Sequence, residues 1–154
     1  MKPAAGVVGG AQVTPEIYET ARQVGQLLAR LGCTVICGGM SGVMEGAARG
    51  AREAGGEVIG ILPGPDTSEA NRFVTHPVAT NMGHARNAII AHSANFLVAI
   101  DGETGTLSEI AFALKLGKRV FSLGSWEIAG VEQMETVADL ERELGAMAFR
   151  QGSR

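Results

Sequence analysis

Two side chains in this sequence stand where their type asks for an explanation. Arg86 falls in the first turn of a helical pattern that begins at His84, where the positive end of the helix dipole disfavours a cation. Pairing with a phosphate or carboxylate of a bound ligand would account for it. Left exposed to water, it would weaken the helix by only about 0.5 kcal/mol. Glu109 follows Thr106 by three residues, the spacing of a capping box in which the hydroxyl takes a first-turn amide and the carboxylate reaches back. That reading makes Glu109 structural. Facing Arg86 across a crevice, the same carboxylate could instead act as an acid, a base or an oxocarbenium-stabilising group of the kind glycosidic cleavage needs.

The glycines carry the other chemical signal. Most of the 22 lie where an apolar run meets a helical pattern, as turn and cap residues do. Gly38, Gly39, Ser41 and Gly42 form the better candidate for a phosphate cradle, because the backbone is bare and no acidic residue interrupts it. The alternative is a tight turn that lets a helix pack closely on a sheet. Gly9 and Gly10 close the first apolar run. Gly102, Gly105 and Thr106 follow the run 96–100 and open a helix whose free N–H groups favour an anion. The Gly-Lys-Ser/Thr ending of a P-loop is absent, and so is the dinucleotide fingerprint G-x-G-x-x-G. No metal site is expected. His76, His84 and His92 lack ligand spacing, and Cys33 and Cys37, four apart on a strand, read as buried free thiols too far apart to bridge.

Alternating strands and helices must hold these groups. Strands are expected at 5–8, 33–37, 58–62, 73–76 (ending at Pro77), 96–100 and 120–123. Thr14-Pro15 caps a helix over 16–31 whose inner face is Ile17, Ala21, Val24, Leu27, Leu28 and Leu31. Ser41 would cap a helix over 43–54 with a Glu45–Arg49 pair on its outer face. Further helices are expected over 84–93, from the Thr106–Glu109 box to Gly117, and from a second box formed by Thr136 and Asp139, with Val137, Leu140, Leu144 and Met147 inward. Residues 63–72 form a long polar loop, either a cover over a ligand or ordinary surface, and 124–133 fits no pattern. The whole reads as one α/β domain over 1–150 with a frayed tail at 151–154. Its mainly parallel sheet is covered on both faces, and the strand-to-helix turns converge on a crevice where strand order reverses.

Bulk properties narrow the partners. A net charge of −3 argues against nucleic acid and anionic membranes, no apolar run approaches a span of roughly 20 residues, and the first residues lack a signal-peptide core. The expectation is a soluble, cytoplasmic protein.

Three blocks, GGMSGVMEGAARGAREAGGEVIGILP, GHARNAII and GTLSEIAFALKLGKRV, in this order and spacing, resemble the family once labelled lysine decarboxylase-like. It includes the cytokinin-activating nucleoside 5′-monophosphate phosphoribohydrolases and, nearer in pattern, the molybdenum cofactor carrier proteins. The resemblance covers about residues 7–120. It implies a Rossmann-like doubly wound fold, homo-oligomers (dimer or tetramer) and a crevice for a nucleotide or phosphate, and it adds Met44 and Asn87 to the ligand-contacting residues named above. Amino-acid decarboxylation is not implied, since no lysine has a fitting context. The hydrolase signature Pro-Gly-Gly-x-Gly-Thr-x-x-Glu falls on 101–109, placing the catalytic pair on Arg86 and Glu109, but Asp101 replaces the proline and Glu103 the second glycine. Asn87 stands where the hydrolases have lysine, as in the carrier-like branch.

The leading expectation is therefore a binding protein for a phosphorylated, nucleotide-like small molecule, with no cofactor required for its function. The ligand would be a nucleotide, a molybdopterin-type cofactor or phosphate. A nucleoside 5′-monophosphate phosphoribohydrolase is the alternative, and an oligomeric nucleotide-sensing regulator the second.

Overall fold

The computed structural model describes residues 1–147, so the expected tail at 151–154 and the domain end at 150 lie outside the described residues. Seven parallel strands form one sheet: β1 (Ala4–Gly9), β2 (Thr34–Cys37), β3 (Val58–Leu62), β4 (His76–Ala79), β5 (Phe96–Ile100), β6 (Val120–Leu123) and β7 (Val131–Met134). The helices are α1 (Pro15–Arg30), α2 (Val43–Glu53), α3 (Arg86–Ser93), α4 (Thr104–Lys115) and α5 (Val137–Ala146), with one 3₁₀ turn at Gly83–Ala85. The sheet order is β4-β3-β2-β1-β5-β6-β7. The chain builds outward from β1 in one direction, then returns to lay β5 on its other side. The reversal falls between β1 and β5, where Gly9 is in register with Ile100.

Alternation along the buried strands divides the core into two layers. Val7, Phe96, Val98, Ile100 and Phe121 face α1, α2 and α5, while Val8, Leu97, Ala99 and Val120 face α3 and α4. Phe96 and Phe121 meet edge to face with centroids 6.0 Å apart. On the first layer α1 and α2 approach closely because their contact is made of glycine. A Cβ on Gly25 would lie 2.0 Å from the Ala47 carbonyl oxygen, and one on Gly50 would lie 1.8 Å from that of Arg22.

The cap expected at Thr14 is present, its hydroxyl accepting the Ile17 amide at 3.3 Å, and Thr136 and Asp139 form a complete capping box. Four local expectations are corrected. The strand expected at 73–76 is β4, three residues later, and contains Pro77; at the sheet edge a missing donor removes no ladder bond. The stretch that fits no pattern holds β7, whose residues are mostly half-buried. Arg49 pairs with Glu53 at 2.9 Å rather than with Glu45, which accepts the Tyr18 hydroxyl at 2.8 Å. Ser41 does not cap α2. Gly42 holds that position with φ 67°, and the Ser41 hydroxyl donates to the Ala11 carbonyl.

Candidate functional site

The turns after β1 and β5 and the starts of α2, α3 and α4 enclose a cavity of about 390 Å³ at the point of reversal. It is of the size small-ligand sites have. One wall is the turn after β1, from Gly9 to Gln12; the opposite wall runs from Asp101 to Thr106. Met44, His84, Arg86, Asn87 and Glu109 complete the lining.

The Thr106–Glu109 capping box is not formed, and its loss gives Glu109 a different position. Asp101 at φ 50° and Gly102 at φ 104° turn the chain sharply, so α4 begins at Thr104, capped three residues before the expected cap at Thr106. Thr106 then lies inside the first turn, packed on Gly102, where a Cβ would come within 2.3 Å of its hydroxyl. The cap residue is Glu103, which makes no side-chain capping bond. Glu109, 7% exposed, lines the cavity. Burial pushes its carboxyl from an ordinary 4.5 up to about 8, and the nearby Arg86 charge opposes that only in part. At neutral pH it is a protonated, neutral group. The first α4 bond runs from the Leu107 amide to the Glu103 carbonyl at 3.0 Å, which leaves the amides of residues 104–106 outside the helix ladder.

Arg86 is held by two neighbours. It is 9% exposed, one Nη donates to the Asn87 side-chain oxygen, and the other lies 3.9 Å from the Met40 sulfur. Asn87 in turn donates to the Ser108 hydroxyl at 3.2 Å and to the Gly105 carbonyl at 3.4 Å, tying α3 to the start of α4. Arg86 Nε is buried without a partner, and none of the ion pairs among the described residues joins Arg86 to a carboxylate. A buried guanidinium with an idle donor is energetically poor unless an anion completes it.

The cavity therefore brings together Gly9, Gly10, Met44, Arg86, Asn87, Gly102, Gly105, Thr106 and Glu109 from the expected set. Gly38, Gly39, Ser41 and Gly42 do not line it. Gly38 lies against Arg86, where a Cβ would be 2.7 Å from an Nη; Gly39 packs on Leu62; and Gly42 touches the Gly10 carbonyl, which accepts the Val43 amide at 3.0 Å. This turn thus supports the arginine and the β1 turn from behind. Sequence reasoning missed Ala11, Gln12, His84 and Thr104 as lining residues and Ser108 as a support. Only Ser108 left a signal, its position in the first turns of a helix whose start is a candidate anion site. Within the 63–72 loop, the Asn71 amide side chain donates to the Met40 carbonyl at 2.8 Å and the Gly39 carbonyl at 3.2 Å, so it braces the same turn. Cys33 and Cys37 are buried free thiols, no group of residues with metal-ligand geometry occurs among the described residues, and no helix there is long and apolar enough to cross a membrane.

A doubly wound parallel sheet with its crevice at the strand reversal defines the class: a Rossmann-like α/β protein. Within that class the chain belongs to the SLOG cluster4 family, which matches residues 2–149. It is 49% identical over 118 residues to an uncharacterised protein of Archaeoglobus fulgidus, covering 77% of this chain and 78% of that one. Among solved structures, the molybdenum cofactor binding protein of the phototrophic bacterium Rippkaea orientalis superposes with a TM-score of 0.90 at 34% identity, covering 96% of this chain and 98% of that chain. The molybdenum cofactor carrier protein of Chlamydomonas reinhardtii gives 0.87 at 34% identity over the same shares.

Proposed function

We propose that this protein binds and holds a phosphorylated, nucleotide-like small molecule, in the manner of the molybdenum cofactor carrier proteins it resembles. The observation that carries the reading is Arg86, a buried cation that lines the cavity, joins no ion pair with a carboxylate among the described residues and leaves its Nε without a partner. A phosphate there would take a charge-assisted bond from Arg86 and further bonds from the amides of residues 104–106 at the positive end of α4. Protonated Glu109 adds a neutral donor that does not repel the anion. Gly9 and Gly10 leave backbone bare for the rest of the ligand. A molybdopterin-type cofactor fits this donor set as cargo, its phosphate on Arg86 and α4.

One observation favours a second reading. A carboxyl held protonated to about pH 8 is suited to general acid work, so Glu109 could assist cleavage of the N-glycosidic bond of a nucleoside 5′-monophosphate while Arg86 holds its phosphate. Asp101 and Glu103 on the same wall weigh against it by adding two carboxylates where that signature has proline and glycine.

Thermal-shift binding of a panel of nucleoside 5′-monophosphates and of a molybdopterin-type cofactor, with parallel assay for free base, separates the two. Stabilisation without base release, lost in Arg86→Met, supports the holding role. Base release lost in Glu109→Gln supports hydrolysis. No stabilisation by any member overturns both. The proposal includes self-association through α4, whose Phe112 is exposed together with Leu116 just past its end; light scattering that gives a monomer at micromolar concentration would remove that part.

A further inference from the structure

The second pole of the cavity is acidic, and its placement carries information about the other end of the ligand. Asp101 is one of two non-glycine residues at positive φ among those described. It lies at the carboxyl end of β5, directly on the cavity wall. One of its carboxylate oxygens is 3.8 Å from the place a Cβ on Gly10 would occupy, so it overhangs bare backbone of the turn after β1. Among the described residues its carboxylate accepts no hydrogen bond and joins no ion pair. Arg86 lies against Gly38, beyond β2, and the two opposite charges share one cavity without meeting.

A phosphate seated beside Asp101 would face a like charge in a partly desolvated site. The anion therefore belongs at Arg86, and the group at Asp101 must donate hydrogen bonds. Gly9 and Gly10 line the same cavity without side chains, which leaves room beside the carboxylate for a planar ring. A carboxylate accepts two parallel bonds from a ring N–H and an adjacent amino group, the edge that guanine and pterin rings share and that adenine and hypoxanthine lack.

We infer that Asp101 is a specificity-determining residue, reading the ring N–H and amino edge of a guanine- or pterin-type ring while the same ligand's phosphate is held at Arg86. This rests on the proposed function, since it assumes the phosphate at Arg86, and adds the class of ring.

Calorimetric titration at pH 6.5 with GMP, IMP and AMP tests it. IMP differs from GMP only by the missing amino group. The wild-type protein should bind GMP roughly tenfold to hundredfold more tightly than IMP or AMP, the discrimination a bidentate pair supplies. Asp101→Asn keeps a residue that tolerates the left-handed backbone, so it should fold as the wild type does. It should reduce the preference to within about threefold, while affinity for IMP falls little. Equal binding of GMP and IMP by the wild type, as a contact to ribose hydroxyls would give, overturns this inference and leaves the proposed function standing. A GMP preference that survives in Asp101→Asn does the same. Failure of all three nucleotides to bind overturns this inference, whereas the proposed function falls only if the molybdopterin-type cofactor also fails to stabilise the protein.

Discussion

Glu109→Gln should make this protein more stable, and by an amount that depends on pH. The carboxyl ionises near 4.5 in an unfolded chain and near 8 in the folded one. Between those values the folded state holds a proton that the unfolded state has lost, so stability falls as pH rises. The slope is about 1.4 kcal/mol per pH unit for one group. The loss is absent below about pH 4.5, reaches about 3 kcal/mol at pH 7, and levels off near 5 kcal/mol above pH 8. Glutamine matches the neutral acid in size and carries no titrating proton, so it escapes this loss. Urea denaturation of both proteins between pH 4.5 and 9, followed by circular dichroism, reads the difference directly. The variant should match the wild type near pH 4.5 and gain steadily up to pH 8. Were Glu109 instead ionised and stabilised by Arg86, glutamine would weaken the fold at pH 7 and the curves would diverge in the opposite sense. A pH-independent difference would equally show that no proton is retained.

Three further outcomes follow from the geometry. Arg86→Met should weaken a phosphorylated ligand roughly hundredfold or more in calorimetry, yet leave the ligand-free protein as stable or more so in denaturation, because an incompletely paired buried charge is removed. Gly50→Ala, on a face far from the cavity, should destabilise by about 2–3 kcal/mol in thermal or urea unfolding, since its methyl would sit 1.8 Å from the Arg22 carbonyl oxygen and α1 would have to move. Lys118→Met should lower stability by about 1–2 kcal/mol, because the Lys118 ammonium donates to the Ala91 and His92 carbonyls at 2.7 Å each and closes the end of α3.

What could be read from sequence was whatever near neighbours decide. Thr14-Pro15 and Thr136 with Asp139 start their helices as read, because each cap is completed within three residues. Thr106 and Glu109 have that same spacing and do not form the box. The start of α4 is set instead by the left-handed backbone of Asp101 and by Trp126, whose indole N–H bonds the Glu103 carbonyl at 3.1 Å from 23 residues away. β7 has no apolar run to announce it, since an edge strand that is only half-buried needs none; pairing with β6 makes it a strand. The Gly38–Gly39 turn carried two readings that local sequence could not separate, ligand cradle or packing. The contact with Arg86 comes from a helix 48 residues further on by number, and only the assembled sheet brings the two together. Arg86 itself was legible as a cation at the wrong end of a helix, whereas its idle Nε depends on everything packed around it.

The central claim is that Arg86 and the start of α4 hold a phosphate at the strand reversal. A crystal structure of the protein with a bound nucleoside 5′-monophosphate decides it. The account predicts a phosphoryl oxygen about 3 Å from a nitrogen of the Arg86 guanidinium, with the amides of residues 104–106 donating to the same group. A phosphate found on the turn at residues 38–42 or on the outer surface, with no contact to the Arg86 guanidinium, would contradict it.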